Sequence, residues 1–168
     1  LDKLRWTLLG AVASARERVG IVTPYFLPDG ALQSALATAA MRGVTVDVVL
    51  PAINNLRFVQ WAQTAELWLL LARGVRVWLT PPPFDHGKLM VVDGKWSCIG
   101  SSNWDPRSLR LNFELNVECY DGALAGELTR RLDDRIARAR RYTSRDLDAR
   151  PLPVQLRDGV ARLFTPYL

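Results

Sequence analysis

Apolar residues recur along this chain in two periods, and the switch between them sets out the elements. Leu4, Leu8, Ala11 and Ala15 share one helical face, predicting a helix over residues 4–18, and a short strand follows at 19–23. Two prolines stiffen the loop Thr23-Pro24-Tyr25-Phe26-Leu27-Pro28. Asp29 is then a suitable N-cap for a helix over 30–42, whose stripe is Leu32, Ala35, Leu36, Ala39 and Ala40, with Gly43 as its stop. A buried strand over 44–50 ends at Pro51. Asn54-Asn55 opens a further helix to about residue 72, rich in aromatics (Phe58, Trp61, Trp68) that suit core packing or a substrate or membrane wall. Gly74 stops it, and a strand over 75–79 follows. Arg42-Gly43-Val44-x-Val46 and Arg73-Gly74-Val75-x-Val77 are one grammar used twice, a helix stop followed by a strand. A strand–helix–strand–helix–strand order predicts an α/β fold: a mixed, mainly parallel sheet flanked by helices on both faces.

The second half reads differently. Pro81-Pro82-Pro83 is a stiff, extended approach to the only histidine, His86. In an extended segment alternate side chains share a face, so His86 and Lys88 point the same way across Gly87. Leu89-Met90-Val91-Val92 continues as a buried strand, Asp93-Gly94 is a strong hairpin signal, and 95–99 returns. That return brings Gly100-Ser101-Ser102-Asn103 back beside His86. Ser101 and Asn103 are in phase with each other, and Ser102 is a spacer. Residues 113–120 alternate as a strand. Residues 123–142 form an amphipathic helix with Leu124, Leu128, Leu132 and Ile136 on one side and six arginines in its second half. A packed tail with one short helix over 154–163 completes the chain.

The chain has 168 residues, enough for a single domain with a real core, and its 49% hydrophobic and 23% charged residues are globular proportions. A net charge of +5 points to an anionic partner such as lipid headgroups, nucleic acid or another phosphate ester. Cys98 and Cys119 fall in predicted strands and read as small buried hydrophobes, which leans towards a reducing compartment. No run of about 20 apolar residues occurs, so the chain itself is expected not to cross a membrane. It begins at Leu1 and not at methionine, as expected of a processed chain or a piece of a longer one.

The converging set suits a phosphodiester. Lys88 offers a point charge to a non-bridging oxygen, while Asn103 and Ser101 offer fixed donors to the charge that builds on phosphorus. His86 titrates near neutrality and can serve as nucleophile or as general acid/base. Glu114 is placed to accept from its other ring nitrogen. A lone histidine beside a lysine is most often structural; the full spacing reverses that. One histidine without a Cys/His cluster makes a poor metal site, so neither metal nor cofactor is expected. Asp93 counts among the candidate site residues, although at the hairpin turn it is more plainly a turn former or ion-pair partner. Arg107 and Arg110 are candidate anion contacts. Asp85 can raise the pKa of His86 or face outward, and the second is favoured.

HxK, four residues, Asp, six residues, GSxN resembles the signature of the phospholipase D superfamily. Thr23-Pro24-Tyr25-Phe26-Leu27-Pro28-Asp29, Arg42-Gly43-Val44, Asp105-x-Arg107-Ser108, Leu111-Asn112-Phe113-Glu114 and Leu163-Phe164-Thr165-Pro166-Tyr167-Leu168 resemble the C-terminal half of bacterial cardiolipin synthases. The resemblance implies an α-β-α sandwich and a site shared by two HxK motifs. One histidine forms a phosphohistidine and the other protonates the leaving alcohol. His86, Lys88, Ser101 and Asn103 would be half of that site, with Glu114 supporting His86 and His86 as the general acid. It further implies phosphatidylglycerol as substrate, glycerol as leaving group and a peripheral place on the cytoplasmic face of the bacterial inner membrane. The departure is that only one HxK is present. The chain is therefore expected to be the second half of a two-motif enzyme, or else to complete its site as a homodimer. A single-motif phosphodiesterase or nuclease is the alternative enzyme, disfavoured by the absence of an aromatic-and-basic stripe for single strands. A non-catalytic phospholipid-binding half is the remaining one.

Overall fold

The computed structural model describes residues 2–168. The chain runs α1 (Lys3–Ser14), β1 (Arg18–Val22), α2 (Gly30–Met41), β2 (Thr45–Pro51), α3 (Arg57–Ala72), β3 (Arg76–Thr80), β4 (Leu89–Val92), β5 (Trp96–Gly100), α4 (Pro106–Arg110), β6 (Asn116–Cys119), α5 (Gly122–Arg138), β7 (Arg140–Tyr142), α6 (Ser144–Asp148) and α7 (Leu152–Arg162). A 3-10 turn, Thr165–Tyr167, closes it. The strands form one sheet in the order β6-β5-β4-β1-β2-β3-β7.

The fold is the expected mixed α/β sandwich, with a smaller parallel share than "mainly parallel" describes. β1–β2 and β2–β3 pair in parallel, as two helical crossovers require; β1–β4, β4–β5, β5–β6 and β3–β7 are antiparallel. The antiparallel flank arises because the second half of the chain folds back through short connections.

Strand alternation assigns the two faces. Val19, Ile21, Val46, Val48 and Val77 turn to α1, α2 and α3, where they bury with Leu8, Val12, Leu32, Leu36, Leu67 and Leu70. Val22, Val49 and Val91 turn to α5, against Leu132, Ala125 and Leu128. Gly20 lies on this second face. A Cβ there would collide with the side chain of Leu132, which is itself fully packed. We expect Gly20→Ala to destabilise the fold by about 1–3 kcal/mol, the usual range for overpacking, with partial recovery on adding Leu132→Val; denaturant melts of the two variants check this.

Three helix ends depart from the sequence reading for a non-local reason. α1 stops at Ser14, not near 18, because the backbone N–H groups of Arg16, Glu17 and Arg18 donate to the Asp93 carboxylate at 2.9, 2.9 and 2.8 Å. α3 starts at Arg57, since Asn54 is drawn into the preceding loop, donating to the Pro24 carbonyl and accepting from Leu56 N–H. α5 ends at Arg138, and Arg140–Tyr142 leaves the helix to pair with β3, burying Tyr142.

Asp47 is the unexpected core residue. It is wholly buried on the α5 face of β2 and accepts from Arg76 twice at 2.7 Å, from Arg18 at 3.1 Å and from Trp78 Nε1 at 2.8 Å. Arg18 also reaches Asp133 on α5 at 2.6 Å.

Candidate active site

The carboxyl ends of β1, β2 and β3 lie at one end of the sheet, where ligands of open α/β sheets bind. β4 runs the other way, so its start pairs with the end of β1, Val22 against Leu89. Leu89 in turn faces Ile99 near the end of β5. The HxK segment before β4 and the Gly100–Asn103 segment after β5 are thereby brought to the same end as the 23–28 loop.

The hairpin behind this is built by its turn. Asp93 and Gly94 both take positive φ, 51° and 62°, and Lys95 N–H donates to the Val92 carbonyl at 3.0 Å. Val92 faces Trp96, so the connection holds three residues and the return strand starts one residue later than expected. Gly100 is required by close approach: a Cβ there would meet the Leu115 carbonyl and Asn116.

At the site, Lys88 Nζ lies 3.2 and 3.3 Å from the two ring nitrogens of His86 and 3.0 Å from its carbonyl oxygen. His86 is exposed, met edge-on by Tyr25 at 5.9 Å between centroids and by the tilted ring of Phe84 at 5.7 Å. Asp85 turns away to Arg135 of α5 at 2.7 Å and accepts from Gly87 N–H at 2.8 Å. Burial of the ring and then the Lys88 ammonium hold the His86 pKa below its ordinary value, against a smaller opposing pull from Asp85. Lys88 is also held low, by burial, against the attraction of Glu114, Asp105 and Asp85.

Ser101 Oγ donates to Glu114 and accepts from Leu115 N–H at 3.0 Å. Asn103 Nδ2 donates to Ser108 Oγ at 3.2 Å, while its Oδ1 is buried without a partner among the described residues. Ser108 is fixed in turn by Asp105, which caps α4 and accepts from Ser108 N–H at 2.7 Å. Burial pushes the Asp105 carboxyl up despite those donors.

Two placements correct the sequence reading. Glu114 does not bond to His86; it takes Ser101 Oγ and Asn112 Nδ2, and acts on Lys88 through its charge. Asp93 is not at the site. It stands at the far end of β4, about 20 Å of extended chain from His86, bound to three backbone N–H groups. Partial burial pushes the Asp93 carboxyl up, but those donors override it and hold it below the ordinary 3.8, so its stabilisation is present at neutral pH and lost as pH falls below that value. We expect Asp93→Ala to cost about 2–3 kcal/mol from lost charged hydrogen bonds, and Asp93→Asn about half, because asparagine keeps one acceptor and tolerates positive φ. Chemical melts at neutral pH check the order.

Sequence reasoning also passed over three supports. Ser102 is not a mere spacer: it is buried and accepts from Asn116 Nδ2 at 2.6 Å. Ser108 holds Asn103, and Gln63, buried in α3, accepts from Phe26 N–H at 2.9 Å to fix the 23–28 loop. The 23–28 loop and the DxRS run were visible as motifs; their partners were not.

A seven-stranded mixed sheet carrying HxK and GSxN at one end defines a phospholipase D-type domain. Residues 8–136 match the family model described as cardiolipin synthase, PLD-like domain, and the chain belongs to that family. It is 39% identical over 167 residues to cardiolipin synthase A of Citrobacter koseri, covering 99% of this chain and 34% of that protein. It is 33% identical over 168 residues to cardiolipin synthase 1 of Staphylococcus epidermidis, covering 100% and 34%. The chain thus spans about a third of the length of the curated relatives it matches. Among solved structures, Nuc of Salmonella typhimurium, a phospholipase D family member, superposes with a TM-score of 0.74 at 24% identity, over 84% of this chain and 92% of that one. Phosphatidylserine synthase of Haemophilus influenzae gives 0.76 at 18% identity, over 98% and 45%. These two likenesses speak to the fold.

Proposed function

We propose that the chain is the second HxK half of a two-motif phosphatidyltransferase that makes cardiolipin from two molecules of phosphatidylglycerol. The observation that carries this is the meeting of His86, Lys88, Ser101 and Asn103 at one sheet end, in a chain of this family. The histidine of the other half attacks the donor's phosphorus, and the bond from phosphorus to the glycerol oxygen breaks. His86 gives that oxygen its proton, and glycerol leaves. The hydroxyl of the second phosphatidylglycerol then attacks the phosphohistidine; its proton passes to His86 and the P–N bond breaks. Lys88 and the Asn103 amide hold the non-bridging oxygens, and Glu114 orients Ser101.

A His86 pKa held below its ordinary value by burial and Lys88 fits an acid that is charged by its substrate. The bound phosphodiester anion draws its pKa back up, as any nearby negative charge does.

One exposed surface supports a shared site. Leu111, Phe113 and Leu115, in the segment that leads from α4 into the edge strand β6, and Val117 within that strand are exposed near Ser101 and Glu114. The partner that fits there is the other HxK half, which is not within these 168 residues and belongs to the two thirds of the relatives' length that they do not span. A homodimer would supply it from a second copy; sedimentation equilibrium separates the two, a monomer at all concentrations leaving only the longer chain.

The membrane contact is peripheral, on the cytoplasmic face. Among the described residues no helix is long and apolar enough to cross a bilayer, and α5 with β7 presents Arg138 and Arg141 without carboxylate partners. The decisive assay compares phosphatidylglycerol vesicles with single-stranded DNA. Cardiolipin and glycerol formed together from the vesicles are the expected products; turnover on DNA alone would replace this reading with a nuclease.

A further inference from the structure

A cavity of about 500 Å³ opens beside Asn103, between the loop after β1, the start of α3 and the short α4. Its wall carries two arginines, Arg57 from α3 and Arg107 from α4. Both are exposed, and neither forms an ion pair or side-chain hydrogen bond among the described residues. This separates them from the other arginines at the site end. Arg135 is taken by Asp85, and Arg110 lies near Asp2 and Asp29 at 3.9 and 3.7 Å. Asp105, the acid in the same wall, is turned into α4 and occupied by Ser108.

The wall also has an apolar side, next to the polar Asn55, Ser108 and Asn112. Leu56, Phe58 and Leu168 line it, so the charge stands against a hydrophobic slope. An anion alone needs no such slope; an anion joined to acyl glycerol does. The cavity meets the reacting centre at Asn103, and Tyr25, which shares its wall, packs on His86.

Resting on the cardiolipin-forming reading, we propose that Arg57 and Arg107 bind the phosphodiester of the acceptor phosphatidylglycerol. The acceptor carries its attacking hydroxyl at the far end of a three-carbon bridge from its own phosphate. Anchoring that phosphate beside Asn103 places the hydroxyl at the donor phosphorus, which makes the step effectively intramolecular. The two arginines therefore decide what resolves the phosphohistidine: a phosphate-bearing alcohol in preference to water or free glycerol. They are positioning residues, since they touch the acceptor away from the reacting atoms.

The test uses the full-length natural protein in phosphatidylglycerol vesicles and two acceptors. Cardiolipin formation needs the acceptor phosphate; exchange of labelled glycerol into phosphatidylglycerol runs the same chemistry without it. For the double variant R57A/R107A we expect cardiolipin formation to fall on the order of 10- to 100-fold, the range for losing charge-assisted bonds to phosphate. Glycerol exchange should change by less than about 2-fold, since donor binding and chemistry are untouched. The pair R57K/R107K should regain most of the rate, because a lysine still serves phosphate as a point charge. Equal losses in both reactions, or no loss in either, would overturn the proposal, and the single variants R57A and R107A repeat the comparison if the double variant does not fold. Competition by glycerol 3-phosphate as strong in wild type as that from added lipid would reassign the site to free phosphate and overturn the lipid assignment. A wild-type protein that exchanges glycerol but makes no cardiolipin overturns the acceptor subsite; one that does neither overturns the enzyme reading as well.

Discussion

Replacing His86 by asparagine should lower cardiolipin formation by about 10³-fold or more, the loss expected when a general acid is removed from a poor leaving group. The fold should survive it, because His86 is exposed and outside the core. The proton is the point of the experiment. With a donor whose leaving group needs none, such as a p-nitrophenyl phosphodiester, the same variant should lose about 10-fold or less. Comparable losses on both donors would make His86 the nucleophile. The pH profile gives a second view. An acid must begin protonated, so kcat/KM should fall as pH rises through the free-protein pKa of His86. Burial and Lys88 put that value below the ordinary 6.5, so the descending limb should begin on the acid side of it.

The second large effect is on stability. Asp47 gathers Arg18, Arg76 and Trp78 beneath α5 with no exposure of its own. Asp47→Ala leaves Arg76 without an anion and the indole N–H without an acceptor. Breaking a buried pair from one side costs about 3–5 kcal/mol. Arg18 keeps Asp133, and Arg76 is about a third exposed, which places this case near the lower end. At about 2–4 °C per kcal/mol for a domain of this size, the midpoint of thermal unfolding should drop by roughly 6–12 °C. A drop under about 2 °C would show that solvent reaches the pair far better than the packing implies. Asp47→Asn should fall between, since it retains an acceptor for Trp78.

The parts of this molecule that could be read in advance are the local ones. Asp29 caps α2 as its position suggested, accepting from Ala31 and Leu32 N–H. Gly43 and Gly74 stop their helices with positive φ. The hairpin that presents His86 is written in Leu89–Val92 and Asp93-Gly94, and the convergence with Ser101 and Asn103 follows from it. What could not be read is which distant group each polar side chain finds. Asp93 binds residues 16–18, some 75 positions away in sequence, and no local pattern announces this. Glu114 suggested itself as the carboxylate that orients His86, yet it is Ser101 that donates to it. Asp47 sits inside a valine-rich run, where only the neighbouring strands' arginines explain it. Residues 140–142 continue an arginine-rich helix by composition, and the free edge of β3 wins them because pairing there buries Tyr142.

The order of the strands has a consequence for how the protein is made. During synthesis the segment from α1 through β3 emerges before the rest of this domain, and its crossovers let β1, β2 and β3 pair before β4 is made. β1 is then an edge, with its outward backbone groups open, until Leu89–Val92 arrives some 70 residues later to cover them. The hairpin β4–β5 can close by itself in microseconds, but docking it on β1 is a long-range contact and hence slow. A nascent or partly unfolded chain therefore carries the complete HxK signature before it has a site. Its open strand is also a template for pairing with a second chain, so the step that assembles the chemistry is the same step that removes the hazard of aggregation.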